Sequence, residues 1–157
     1  MLKKKLNFNL FFYIEYTLVY FLVAFLLKNL FLHYQQLGLV IQNNYFEIMF
    51  LKNTGAAFSI FKGGNSFLAA FSIAILALIL FYVINNFKEL KIINIHAFAF
   101  LSAGILSNTI ERFVDGYVTD YFKLTFINFP VFNLADIFIN IGVILLIFSL
   151  LFFDKRK

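Results

Sequence analysis

Hydrophobic residues occur in four long runs along the chain, and short polar segments separate them. The runs cover about residues 10–32, 67–84, 92–110 and 131–153. An apolar run of about 20 residues is long enough for a helix to cross the hydrocarbon core of a bilayer. The pattern therefore predicts a mainly α-helical membrane protein with four transmembrane helices.

The segment between the first two runs, residues 33–66, has a different pattern. Polar residues interrupt the apolar ones, and residues 45–51 are rich in aromatic and branched side chains. The pair Asn43-Asn44 can form a turn, and Gly55, Gly63 and Gly64 break the later part into short pieces. We expect a small periplasmic β-rich element here, outside the bilayer core.

The composition agrees with a membrane protein. Of 157 residues, 62% are hydrophobic, and the mean hydropathy is +0.88, whereas about half of an ordinary soluble domain is apolar. The chain has no cysteine, which excludes disulfides, thiolate metal sites and a cysteine nucleophile. No linker or internal repeat divides the sequence, so residues 1–157 are predicted to form a single integral-membrane domain.

The net charge of +5 indicates orientation in the membrane, and we expect no nucleic-acid partner. Four spans put both termini on one side of the membrane. The basic residues of that side are Lys3, Lys4, Lys5, Lys88, Lys91, Lys155, Arg156 and Lys157. Because basic residues are in excess on cytoplasmic segments, both termini are predicted to be cytoplasmic, and the β-rich segment faces outward.

Three polar clusters fall on the outward side. They are residues 53–58, residues 108–120 and residues 132–136. In the second cluster, Asn108, Glu111 and Arg112 are three and four positions apart and therefore share one helix face. In the third, Asn133 and Asp136 share a face near the start of the last span. Convergence of the clusters would form a polar pocket at the outer membrane interface.

Two aspartates in these clusters, Asp120 and Asp136, lie at the outer ends of apolar helices. An ionisable group in such a place is costly, so it indicates a functional site. Two neighbouring carboxyl groups can act together, one ionised as a general base and one protonated as a general acid. Proton-transfer chemistry by this pair is the primary hypothesis from the residues.

The three clusters, in this order and spacing, resemble motifs of the lipoprotein signal peptidase family, also called signal peptidase II. The family segment N-x-G-x-A-F corresponds to Asn53-Thr54-Gly55-Ala56-Ala57-Phe58, and F-N-x-A-D corresponds to Phe132-Asn133-Leu134-Ala135-Asp136. The segment G-N-x-x-D-R…G-x-V-x-D-[FY] corresponds to residues 107–112 and 116–121. The resemblance covers nearly the whole chain, and it extends to the four spans with both termini inside.

The sequence departs from the family pattern at three places. Glu111 occupies the position of the family aspartate before Arg112, and Ser107 occupies that of a glycine. The Asp-x-x-[ST]-Lys signature of the first span is not intact, because a match that begins at Glu15 has Val19 at the lysine position. We therefore expect little polar support from the first span.

The resemblance implies a bacterial inner-membrane aspartic endopeptidase. Such an enzyme removes the signal peptide from diacylglyceryl-modified prolipoproteins at the outer face of the membrane. The implied partners are these substrates and the membrane lipids around the enzyme. The resemblance implies that Asp120 and Asp136 are the catalytic pair, and it implies no metal and no cofactor. Substrate-binding or supporting roles are implied for Asn53, Gly55, Asn108, Glu111, Arg112 and Asn133.

Three alternatives have weaker support in the sequence. A small transporter or membrane assembly factor could use interfacial aspartates to bind a cation or proton, but no inverted repeat is visible. Ser59 and Lys62 match Ser-x-x-Lys, but the accompanying Ser-Asp-Asn and Lys-Thr-Gly elements are missing. His33 and His96 do not form the His-Glu-x-x-His motif of a metalloprotease.

Overall fold

The computed structural model describes residues 2–55 and 64–153, with side chains from residue 8 onward. Ser59 and Lys62, and residues 56–58 of the first polar cluster, lie outside the described residues. The helices of the described part are α1 (Leu2–Gln36), α2 (Asn65–Asn86), α3 (Ile92–Val114) and α4 (Leu134–Phe153). All four are long and apolar enough to cross a membrane, which confirms the predicted mainly helical architecture.

The helix limits differ from the limits of the hydrophobic runs. The helix α1 extends beyond the predicted 10–32 at both ends, and α3 continues past residue 110 to Val114. Hydrophobicity marks only the part in the bilayer core, whereas a helix can continue wherever its backbone hydrogen bonds are satisfied. Conversely, α4 begins at Leu134 and not at residue 131, because the preceding residues pair with a strand.

The helix α3 is the centre of the bundle, and it packs against each of the other three helices. In the most hydrophobic 18-residue stretch of α3, half of the residues are buried inside the protein. In the corresponding stretches of α1 and α2, only 11% are buried. Small residues allow the close approach of α3 and α4. A Cβ atom on Gly104 would overlap with the carbonyl oxygen of Ala135, and one on Gly142 would lie 2.8 Å from that of Ala97.

Hydrogen bonds between helices satisfy polar side chains within the bundle. The pairs, each at 2.8 Å, are Tyr13 with Ser102, Tyr20 with His96, and Asn94 with Ser149. His96 also stacks on Tyr16, with 4.3 Å between ring centroids. Since lipid offers no hydrogen-bond partners, these pairs stabilise the packing of α1 and α4 on α3.

A two-stranded antiparallel sheet, formed by β1 (Phe46–Asn53) and β2 (Val118–Leu124), lies beside the helices. The strand β1 falls in the predicted β-rich segment, whereas β2 comes from the connection between α3 and α4. Residues 33–66 therefore do not form the sheet alone. The α1–α2 and α3–α4 connections leave the same end of the bundle, so strands distant in sequence can pair there.

The register of the sheet brings the first and second polar clusters together. Leu51 pairs with Asp120, and Asn53 pairs with Val118. On the other side of β2, Phe132 forms a bridge with Phe122. The third cluster is thereby held against the same strand, immediately before α4 begins.

Candidate active site

Asp120 lies on β2 and is almost completely buried, with 2% of its surface exposed. Its carboxylate accepts a hydrogen bond from the Asn53 side chain at 2.9 Å and another from the Asn133 side chain at 3.1 Å. Asn53 is itself oriented by its Oδ1 atom, which accepts the backbone N–H of Gly55 at 2.9 Å. The first and third clusters thus hold the two oxygens of Asp120.

Asp136 lies in the first turn of α4, where the helix dipole favours a carboxylate. One oxygen accepts a hydrogen bond from the Asn108 side chain at 2.9 Å, and the other accepts the backbone N–H of Asn133 at 3.1 Å. In return, the Asp136 backbone N–H donates to the Asn133 side chain at 2.9 Å. This reciprocal arrangement is a capping box, and it fixes both the start of α4 and the carboxyl group.

Two asparagines connect the aspartates in one hydrogen-bond network. The Asn133 side-chain amide donates to Asp120 and also to the Asn108 side-chain oxygen, both at 3.1 Å. Asn108 in turn donates to Asp136. The fold therefore brings together Asp120, Asp136, Asn53, Asn108 and Asn133, which come from four separate elements and their flanking segments.

The protonation of Asp120 is unusual for a carboxyl group. Burial and, second, the nearby charge of Asp136 raise the pKa of Asp120 to about 7, against the lowering effect of the hydrogen bonds from Asn53 and Asn133. Two carboxyl groups in one low-dielectric site do not readily ionise together. Asp120 can therefore hold a proton near neutral pH.

Arg112 supplies a positive charge and hydrogen-bond donors next to this network. One terminal guanidinium nitrogen donates to the Gly55 carbonyl oxygen at 3.1 Å, and the charge interacts with both Asp136 and Asp120. The Arg112 Nε atom is buried and has no hydrogen-bond partner within the described residues. Arg112 and Gly55 are thus brought to the site with the aspartates.

Glu111 is buried, with 7% exposure, and it joins three elements. One carboxylate oxygen accepts the backbone N–H of Thr119 at 2.8 Å, and the other lies 3.4 Å from the Lys28 ammonium of α1. Thr119 immediately precedes Asp120, so this contact fixes the strand that carries Asp120. Glu111 therefore supports the site through the backbone and does not reach the carboxylate network itself.

The expectation that the first span gives little polar support is wrong, because Lys28 reaches Glu111. Residues 24–28 keep only the final lysine of the Asp-x-x-[ST]-Lys signature, with Ala24 in place of its aspartate. Because the acidic residue that begins the signature is missing there, the pattern indicated Glu15 and not Lys28. Lys28 therefore contributes to the site through its ion pair with Glu111.

Lys28→Met is expected to lower the free energy of unfolding by about 3 kcal/mol, because it leaves a buried carboxylate without its counter-charge. The side chains of Lys28 and Glu111 are only 13% and 8% exposed. Chemical denaturation in detergent measures the loss, and Glu111→Gln should make the same lysine substitution much less harmful.

A matched control is the Lys123–Glu47 pair, at 2.9 Å, in which the side chains are 43% and 26% exposed. Lys123→Met should cost less than about 1 kcal/mol, since exposed pairs contribute little. Equal losses from Lys28→Met with and without the Glu111→Gln substitution would contradict the proposed coupling.

A cavity of about 960 Å³ opens beside the aspartates. Its polar wall includes Asp120, Asp136, Asn53, Asn108 and Arg112. Its apolar wall includes Phe129, Val131, Phe132, Ile137 and Ile139. Within residues 2–55 and 64–153, no three His, Asp or Glu side chains are grouped as a metal site would require. The cavity can accept a ligand that has both apolar and polar groups.

Tyr121 is a supporting residue that the sequence did not single out. It is 2% exposed, and its hydroxyl oxygen accepts the backbone N–H of Leu134 at 3.1 Å. Burial raises the pKa of Tyr121 to about 12, so the hydroxyl stays neutral. The aromatic residue directly after Asp120 in the motif was the available signal, but its contact with α4 depends on the fold.

Comparisons with known proteins agree with this geometry. Residues 13–152 match the model of the family described as signal peptidase (SPase) II. The lipoprotein signal peptidases of Gloeothece citriformis and Microcystis aeruginosa are each 44% identical over 66% of this chain, which spans 64% and 66% of their lengths. That of Fusobacterium nucleatum is 33% identical over 73% of this chain and 70% of its own.

A solved structure provides a similar fold. A bacterial membrane enzyme determined by the in meso method at 2.3 Å superposes with a TM-score of 0.78 and 26% identity, over 92% of each chain. The match therefore includes nearly all of the bundle and the sheet. Together with the family match over most of the sequence, it identifies the chain as a member of the signal peptidase II family.

Proposed function

We propose that this protein is a membrane aspartic endopeptidase that removes signal peptides from prolipoproteins. The observation that carries the proposal is the pairing of Asp120 and Asp136 through Asn108 and Asn133 at the wall of one cavity. Membership of the signal peptidase II family supports the same activity. The transporter or assembly-factor alternative has no comparable support.

The two aspartates have different roles in the proposed reaction. Because the pKa of Asp120 is raised to about 7, we assign Asp120 as the proton donor. Asp136 lies in the first turn of α4 and interacts with the charge of Arg112, and both favour its ionised form, so we assign Asp136 as the base. Asp136 takes a proton from water as the water oxygen attacks the scissile carbonyl carbon, and Asp120 donates its proton to the carbonyl oxygen. Collapse of the tetrahedral intermediate returns a proton to Asp120 and transfers the proton of Asp136 to the departing amine.

The surrounding residues bind and orient the substrate in this proposal. Arg112 lines the cavity, and its guanidinium carries several N–H donors, so it can donate to a substrate carbonyl. Asn53, Asn108 and Asn133 hold the carboxyl groups in place. The apolar wall contacts the signal peptide, which is itself a hydrophobic segment.

The proposed orientation has both termini in the cytoplasm and the aspartate pair at the outer face of the bacterial inner membrane. The excess of basic residues at the termini and in the α2–α3 connection supports it. We further propose that the substrate carries a diacylglyceryl group on the cysteine that becomes the new N-terminus. This lipid keeps the scissile bond at the depth of the aspartates. Residues 1–157 then act as one membrane domain.

Cleavage of a diacylglyceryl-modified prolipoprotein by the purified protein in detergent tests the proposal. We expect cleavage before the lipidated cysteine, with no loss when a metal chelator is present. An otherwise identical substrate without the lipid tests the lipid requirement. Absence of cleavage by folded wild-type protein would refute the proposed function, and cation uptake into liposomes would then favour the transporter alternative.

The pH dependence of stability should reveal the buried carboxyl group of Asp120. Its pKa in the folded protein is about 7, above the ordinary value of 3.8. The folded state therefore binds the proton more tightly, and this stabilisation is present at low pH and lost as the pH rises through 7. The melting temperature of Asp120→Asn minus that of wild type should increase from about pH 4 to about pH 7 and then level off.

Thermal unfolding in one detergent across pH 4–8 measures this difference. Asp115→Asn removes an exposed aspartate and controls for the loss of a negative charge alone. A difference for Asp120→Asn that stays constant over the whole range would contradict the proposed protonation of Asp120.

A further inference from the structure

Asn140 is a polar residue of the cavity wall that the mechanism does not use. It lies on α4 four positions after Asp136, so the two side chains share a helix face, and both line the cavity. Its side-chain amide donates to the Asp136 carbonyl oxygen at 3.0 Å. Within the described part of the chain, its Oδ1 atom accepts no hydrogen bond.

The side-chain amide of Asn140 lies beside apolar residues of α4 in the cavity wall. The neighbouring cavity residues of α4 are Ile137 and Ile139, and the helix is apolar enough to span a membrane. The Asn140 side chain is exposed and lines the cavity, so its remaining hydrogen-bonding groups are accessible to a substrate there. The amide retains one N–H and one oxygen, which together match the oxygen and N–H of an extended peptide backbone.

We propose that Asn140 is a substrate-binding residue that holds the backbone of the signal peptide on the amino-terminal side of the scissile bond. The proposal rests on the proposed function and adds a contact to it. In the proposed orientation, α4 runs from Asp136 towards the cytoplasm, which is also the direction of the signal peptide from its cleavage site. The two chains therefore lie side by side along the cavity.

The spacing along α4 predicts where the contact occurs. Four helical residues rise by about 6 Å, and an extended peptide advances by about 3.3 Å per residue. Asn140 should therefore contact the substrate about two residues before the scissile bond. Because the contact is to the backbone and is away from the reacting atoms, it contributes equally to the ground state and the transition state.

Kinetics with Asn140→Leu provide the first test. We expect kcat/KM to fall about tenfold, because KM rises while kcat stays unchanged. This is the effect of losing one or two neutral hydrogen bonds that bind the ground state and the transition state equally. Asn140→Gln keeps the amide and should lose less. Asn85 makes the same local bond, to the Phe81 carbonyl oxygen at 2.8 Å, but does not line the cavity, so Asn85→Leu should leave both constants unchanged.

Cross-linking provides a test that does not depend on turnover. The chain has no cysteine, so Asn140→Cys in an Asp120→Asn background introduces a single thiol. The substrate carries one free cysteine at each of the five positions before the scissile bond in turn, and its lipidated cysteine cannot react. Disulfide yield should be greatest about two residues before the scissile bond, and Asn85→Cys should give only background yield.

The outcomes separate the two proposals. Absence of wild-type cleavage would refute the proposed function, and the Asn140 contact with it. Normal wild-type cleavage, together with unchanged kinetics of Asn140→Leu or with cross-linking no stronger than at position 85, would refute the Asn140 contact alone. A fall in kcat at unchanged KM would also overturn it, because it would indicate a role in the chemical step.

Discussion

Asp120→Asn and Asp136→Asn should each reduce kcat for prolipoprotein cleavage by at least about 10³-fold, within the range expected for the loss of proton transfer. In Asp136→Asn the new amide cannot accept the proton from water, and in Asp120→Asn it cannot donate an acidic proton to the carbonyl oxygen. Asparagine preserves the shape of each side chain and can still take part in the hydrogen bonds around the cavity. Substrate binding and folding should therefore change much less than turnover.

Single-turnover cleavage and equilibrium binding of a lipidated substrate measure the two effects separately. Asp115→Asn is the matched control, since Asp115 ends α3 on the exposed surface, and it should leave kcat unchanged. The double variant Asp120→Asn/Asp136→Asn should be little worse than either single variant, because the proposed reaction needs both residues as a unit. Near wild-type turnover in either single variant would refute the catalytic pair.

Gly104→Ala should reduce kcat/KM by about 10²-fold although Gly104 touches no atom of the carboxylate network. A Cβ atom here would overlap with the Ala135 carbonyl oxygen and with Ile139, so α3 and α4 must separate. Ala135 is adjacent to Asp136, and Asn108 of α3 donates to that carboxylate. A displacement of about 1 Å between catalytic groups is sufficient for an effect of this size.

Gly142→Ala is the matched control for this prediction. A Cβ at Gly142 would crowd Leu101 and the Ala97 carbonyl oxygen, so it disturbs the same helix pair further from Asp136. Both variants should lower the free energy of unfolding by about 1–3 kcal/mol, but Gly142→Ala should retain much more activity per folded molecule. Similar activity losses in the two variants would show that separation of the helices near Asp136 is not the cause.

The local sequence was sufficient to predict the four helices and their approximate limits. Membrane insertion depends on the hydrophobicity of each segment, which is a local property. Pairing of strands is not local. The strand β1 was predicted from its aromatic and branched residues, whereas β2 was not predicted, because it is recognisable mainly by its pairing with β1. The strand β2 covers residues 118–124, which include the charged residues Asp120 and Lys123. Little in this short segment distinguishes a strand from a loop.

The sequence singled out the two aspartates because charged residues are rare and costly beside apolar helices, and the motif order gave them a family context. The supporting contacts of Lys28 and Tyr121 were missed. Lys28 acts through an ion pair with another helix, and Tyr121 acts through a backbone N–H thirteen residues later in the chain. No periodicity or spacing within a segment specifies such partners.

By itself, the sequence determined the membrane class, the four helices and the residues available for acid–base chemistry, since composition and hydrophobic run length fix these properties segment by segment. Only the tertiary structure decided that β2 pairs with β1, that Asn133 connects both aspartates, and that burial raises the pKa of Asp120 to about 7. These features depend on distances between residues that are far apart in the chain, and helix packing and strand pairing together set those distances.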